Sequence, residues 1–139
     1  MNNYSYEDIK VGMEESFSSK ITEESLSLFR ELTKDDNPLH NDPEYAKKLG
    51  YKDKVAYGML TASYLSTLAG VYLPGKRSLI HSVETKMTKP VYAGDELTIS
   101  GKVTEKSESL PVFTMNVIIR NQANELVLRG RMQIGVADE

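Results

Sequence analysis

The run Val55-Ala56-Tyr57-Gly58-Met59-Leu60-Thr61-Ala62-Ser63-Tyr64-Leu65-Ser66-Thr67-Leu68-Ala69-Gly70-Val71-Tyr72-Leu73 decides how the rest of the chain is read. No charge occurs between Lys54 and Lys76, in a chain of which 27% is charged. The run is long enough to invite comparison with a membrane span. Thr61, Ser63, Ser66 and Thr67 interrupt it, Gly58 and Gly70 weaken it, and no second stretch of this kind lies nearby. A helix apolar on nearly all sides belongs in a protein core, and Pro74-Gly75 is its stop signal. Such a helix cannot cover itself, so the flanking sequence must wrap it.

Downstream the period of the pattern changes. Leu79, His81, Val83, Thr85 and Met87 alternate with more polar neighbours, and so do Leu97, Ile99, Gly101 and Val103. Phe113, Met115, Val117 and Ile119 form a third run, and Leu126, Leu128, Gly130, Met132, Ile134 and Val136 a fourth. Alternation of period two predicts half-buried strands, and connections as short as Asn121–Asn124 predict antiparallel hairpins. Upstream, a strand is expected around Glu15–Ile21. A helix follows, with Thr22 as N-cap, Glu23 and Glu24 at its positive end, and Ile21 and Leu26 as a hydrophobic staple. Leu26, Phe29 and Leu32 are its expected apolar face. A shorter helix is signalled by Asp42 as cap, Pro43 at its first position and Gly50 just past its end. The sum is an α+β chain: a curled antiparallel β-sheet wrapped around a long central α-helix, as one domain over residues 1–139.

Bulk properties exclude several function classes. A net charge of −3, from 17 basic and 20 acidic residues, leaves no electrostatic footprint for nucleic acid or an anionic membrane. Cysteine is absent, which removes disulfides, thiolate nucleophiles and cysteine metal sites. The N-terminus has no charged-then-apolar signal pattern, so a cytoplasmic location is expected. No phosphate loop, dinucleotide fingerprint or Gly-x-Ser-x-Gly elbow occurs.

Two places can hold chemistry. In Asp35-Asp36-Asn37-Pro38-Leu39-His40 a carboxylate and an imidazole lie five apart across a proline turn. Asp35 or Asp36 caps that turn while His40 merely packs, or the turn brings carboxylate and imidazole to one point where they hold and deprotonate a water. An aspartate with one histidine offers too few ligands for zinc, so no metal is expected. The second place is Tyr57-Gly58-Met59 at the start of the core helix. The free amides of a helix N-terminus attract negative charge, and Gly58 lets a ligand approach that backbone. Aimed at a thioester carbonyl, such an amide stabilises a developing oxyanion; the plainer reading of Gly58 is tight packing. Ser63 and Ser66 are polar residues on the same helix, and back-bonding to the i−4 carbonyl accounts for them structurally. His81 reads as a satisfied core or edge histidine.

The run Leu32-Thr33-Lys34-Asp35-Asp36-Asn37-Pro38-Leu39-His40-Asn41-Asp42-Pro43 resembles the hydratase motif of the MaoC-like, (R)-specific enoyl-CoA hydratases. Val55 to Ser63 resembles the start of that family's oxyanion-hole helix. Leu73-Pro74-Gly75 and Lys89-Pro90-Val91-Tyr92-Ala93-Gly94-Asp95 are similar to its later landmarks. The resemblance implies the hot-dog fold, which agrees with the pattern above. It also implies hydration of a trans-2-enoyl thioester, carried on coenzyme A or acyl carrier protein, in fatty-acid or hydroxyalkanoate metabolism. Asp35 and His40 would activate water, the Gly58 amide would hold the oxyanion, Ser66 would support the site's hydrogen bonds, and Asn37 and Tyr57 would join them in binding substrate. No metal or organic cofactor is implied, and a homodimer is. The family's usual glycine before the aspartate is Lys34 here, and its usual histidine before the oxyanion glycine is Tyr57. A hot-dog thioesterase and a non-catalytic acyl-thioester binding module are the rival readings.

Overall fold

The structure, a computed structural model, describes residues 1–138. Strand β1 (Glu14–Lys20) leads through Ile21 into helix α1 (Glu23–Thr33), and α2 (Pro43–Lys48) and α3 (Gly58–Thr67) follow. Strands β2 (Ser78–Met87), β3 (Glu96–Lys106), β4 (Val112–Arg120) and β5 (Leu126–Val136) complete the chain. All pairings are antiparallel, in the order β1-β3-β4-β5-β2. The core segment touches both edge strands, β1 and β2, so the sheet closes round it. This is the expected α+β hot-dog arrangement.

The local signals operate as read. Thr22 accepts from Ser25 N–H while Ser25 Oγ accepts from Thr22 N–H, and Ile21 and Leu26 are both buried beside that cap. Asp42 caps α2 by accepting from the amides of Glu44 and Tyr45. On β3, β4 and β5 alternate side chains are buried: Leu97 and Ile99, Phe113 and Met115, Met132 and Ile134. Leu65 and Leu68 pack on them from the central segment. A Cβ on Gly101 would lie 2.5 Å from Met115 Sδ and 3.0 Å from Leu68 Cδ2. The absence of a side chain at Gly101 therefore leaves room for Met115 and for Leu68 of the central segment.

Four expectations change. The Val55–Leu73 run is not one helix: α3 begins at Gly58, and Leu68–Tyr72 forms a π-helical turn around Gly70. Nor is α3 buried all round, because Met59 is 67% exposed and Ser63 and Ser66 face outward. Leu32 lies off the packed face of α1 at 80% exposure, since nothing among the described residues covers that side. Alternation in β2 is broken by a bulge at His81, between the pairs Ile80↔Ile134 and Ser82↔Gln133. Leu79 therefore faces the opposite side of the sheet from Val83, Thr85 and Met87, with Ile80 taking its place on the inner face.

The two edges differ in chemistry. The exposed positions of β1 are Glu14, Ser16, Ser18 and Lys20. Along β2, Leu79, Ile80, Val83 and Met87 are all exposed. No helix among the described residues is long and apolar enough to cross a membrane.

Candidate active site

The segment before α3 is tied to the proline turn by two bonds. Val55 N–H donates to Leu39 O at 3.0 Å, and His40 Nδ1 lies 2.7 Å from Val55 O. Ala56 N–H donates to Val91 O at 2.7 Å, anchoring the same segment on the other side. The first pair brings His40 beside the start of α3 across 15 residues of sequence. It also selects the imidazole tautomer. A carbonyl accepts only, so Nδ1 carries a proton, and in the neutral ring the lone pair is on Nε2. Nε2 has no hydrogen-bond partner among the described residues.

His40 and Gly58 line one open cavity of about 360 Å³, together with Thr61, Val55, Met87 and Lys89 among others. Gly58 is the first residue of α3, and its N–H has no acceptor among the described residues. The Met87 side chain lies over it, 3.4 Å from where a Cβ would stand. An imidazole with a free basic nitrogen and a helix-terminal amide thus share a concave, mostly apolar space. That arrangement can move a proton at one atom and hold negative charge at another.

Tyr57 is 2% exposed and packs between rings, its centroid 4.2 Å from that of His40 and 4.9 Å from that of Phe29. Its hydroxyl donates to Asp35 O at 2.9 Å. Burial, and then the negative charge of Asp35, raise the Tyr57 pKa, so the phenol remains a proton donor. The residue replacing the family's histidine is therefore a strut between the imidazole and the turn.

The other expected site residues are placed as follows. Asp35 is exposed; its Oδ1 accepts from Asn37 N–H at 3.1 Å, and it is not among the residues lining the cavity. Asn37 caps the next turn, its Oδ1 accepting from Leu39 N–H at 2.9 Å. Asp36 turns away to Arg30, 2.5 Å from its Nε. Ser66 lies on the exposed side of α3 and is not among the residues lining the cavity, and Ser63 bonds Leu60 O at 2.6 Å, one residue nearer than the expected i−4 carbonyl. His81 is exposed at the bulge of the edge strand. Among the described residues, no group of three or more metal-ligating side chains assembles. Thr61, Met87 and Lys89 were not singled out as site residues by sequence. Thr61 had a signal, being polar at a position three residues from Gly58 and four from Leu65, on the helix face that packs inward.

Residues 7–125 match the MaoC-like domain. The chain belongs to the MaoC-like domain family. An (R)-specific enoyl-CoA hydratase of Aeromonas caviae is 33% identical over 126 residues, covering 91% of this chain and 94% of that protein. A protein of the same name from Rhodospirillum rubrum is 36% identical over 105 residues, 73% of each chain. Among solved structures, an R-hydratase from Pseudomonas aeruginosa superposes with a TM-score of 0.91 at 31% identity, covering 99% of this chain and 88% of that one. The matched MaoC-like segment spans both the proline turn and the start of α3, the two places that meet at the cavity.

Proposed function

We propose that this MaoC-like chain is a hydro-lyase that adds water reversibly to a trans-2-enoyl thioester, giving the (R)-3-hydroxyacyl thioester. The observation that carries the reading is the shared cavity of His40, with Nδ1 committed to Val55 O, and the uncommitted Gly58 N–H. Nε2 takes a proton from water as the water oxygen bonds to C3. The electron pair of the C2–C3 double bond moves onto the thioester, whose oxygen is held by Gly58 N–H. A proton then returns to C2 on the same face. Asp35 is assigned as the carboxylate partner of His40 in this exchange, through the turn that Tyr57 ties to the imidazole. The family resemblance adds Asn37 as a supporting group, through its cap on the turn that carries His40; the support it implies for Ser66 is not met by a side chain on the exposed side of α3 and outside the cavity lining.

The reaction is proton transfer with charge stabilisation, so it calls for no metal and no organic cofactor; coenzyme A or acyl carrier protein is the carrier. A cytoplasmic role in fatty-acid or hydroxyalkanoate metabolism fits this chemistry. We further propose a homodimer paired through β2, because that edge presents Leu79, Ile80, Val83 and Met87 while β1 presents charges and hydroxyls.

The test is a panel of trans-2-enoyl thioesters of graded length. Loss of enoyl absorbance is followed beside release of free thiol. Absorbance loss without thiol is the expected result. Thiol release identifies a thioesterase, and binding without turnover identifies a carrier-binding module.

A further inference from the structure

The face that α3 and the turn after it direct toward the sheet carries Gly58, Thr61, Leu65 and Leu68, and the last two are fully covered. Thr61 is the polar member of that stripe. It is 2% exposed, and its Oγ1 is buried with no hydrogen-bond partner among the described residues. Ser63, on the outer face, has already bonded a carbonyl of its own helix. Buried hydroxyls are almost always paired, and an unpaired one is unfavourable. Thr61 itself is one of the residues that line the cavity of His40 and Gly58.

Direction follows from helix geometry. The Cα–Cβ bonds of an α-helix tilt toward its N-terminus, so a residue at i+3 covers the turn opened by residue i. Thr61 therefore leans over the turn that begins at Gly58, whose N–H is likewise uncommitted. Two unpaired donors, one backbone and one side chain, thus belong to residues one turn apart that line the same cavity.

We propose that Thr61 Oγ–H is the second donor to the thioester oxygen, beside the Gly58 amide. The assignment rests on the hydration reading given above. Negative charge reaches that oxygen only as water adds to C3, so a donor fixed there in advance acts on the transition state more than on bound substrate. The substrate oxygen then supplies the partner that the hydroxyl lacks in the free protein.

The experiment compares Thr61→Val and Thr61→Ser with the wild-type chain in enoyl-CoA hydration and in thermal melting. Valine keeps the branched shape and removes only the donor. Its kcat is expected to fall about 10²-fold, the usual worth of one oxyanion donor, with KM changed by less than about threefold. Its melting temperature is expected to equal or exceed that of the wild type, because an unpaired hydroxyl has been removed. Thr61→Ser restores the donor and recovers most of the rate. A valine variant with wild-type kcat overturns the assignment, as does a serine variant as slow as valine. A valine variant that melts well below the wild type, or does not fold, overturns it too, because the hydroxyl then has a partner inside the protein. A wild-type chain that hydrates no enoyl thioester sinks the hydration reading, and this one with it. Against an active wild type, the variants bear on Thr61 alone.

Discussion

Tyr57 holds Asp35 by its backbone and not by its carboxylate: the phenol donates to the carbonyl oxygen at 2.9 Å while its ring lies against His40. One buried side chain thereby sets the distance between the two residues assigned to proton transfer. Tyr57→Phe keeps the ring and deletes the bond, at a cost of about 1 kcal/mol. Thermal melting should show a drop of about 3–5 °C. The pH dependence has a defined sign. The folded-state pKa of Tyr57 is raised, so its stabilising contribution is complete below the ordinary phenol range. It is lost as pH rises through the higher folded value. The stability gap between wild type and Tyr57→Phe should therefore narrow in strong alkali. A gap that widens there contradicts the burial of the phenol.

His40→Ala should lower kcat by about 10²–10⁴-fold, the usual range for a positioned acid–base group. Asp35→Ala should also be slow, and the double variant little worse than either single one if the two act as a unit. Asp36→Ala should be close to wild type, since it removes only a solvent-screened surface pair with Arg30. Steady-state kinetics on one good substrate separates the three. A damaging Asp36→Ala with a mild Asp35→Ala would show that the wrong aspartate has been assigned.

Gly58→Pro deletes one N–H and leaves the rest of the helix end intact. Proline is tolerated at the first position of a helix, and Tyr57 before it already has φ −60° and ψ 123°, which a following proline accepts. A loss of about 10²–10³-fold in kcat is expected, with melting showing a folded protein. Full activity in the folded variant removes the amide from the mechanism.

Lys34 ends α1 in the left-handed region, with φ 65° and its N–H bonded to Arg30 O. This is the position where a helix favours glycine, and it gives a physical reason for the glycine usual there in the resembling family. Lys34→Gly should raise stability by up to about 1 kcal/mol. The melting temperature should rise, with kcat unchanged. A fall in melting temperature would show that the lysine side chain contributes more than the backbone conformation costs.

The β2 edge predicts association. Light scattering should find a dimer at micromolar concentration, and Val83→Lys should shift it toward monomer, because the added charge sits on the apolar edge. A wild-type monomer would rule the pairing out.

Much of this was legible in the residues. Period-two alternation located β3, β4 and β5, whose inner faces are covered by the same helix. Thr22, Asp42 and Pro43 marked helix starts through local hydrogen bonding that needs no tertiary partner. What escaped was whatever depends on three dimensions. A bulge at His81 skips one residue, and counting alternate positions cannot register a skip. Leu32 looked like core because apolarity does not reveal whether anything stands opposite. His40 was legible as a base, but its tautomer depends on Val55 O, which no local pattern joins to it. Thr61 was passed over because a threonine in an apolar run looks like an interruption until its neighbours are known.

Met87 belongs to two surfaces at once. Its side chain walls the cavity and lies over Gly58, yet it is carried by the open edge of the sheet. Whatever covers that edge also sets the shape of the wall facing the oxyanion amide. Linkage makes the effect mutual: a thioester that prefers the covered wall strengthens assembly by the same free energy that assembly lends to its binding. Specific activity should then depend on protein concentration. On dilution of the proposed dimer KM should rise before any unfolding is detectable, and saturating substrate should hold its two copies together.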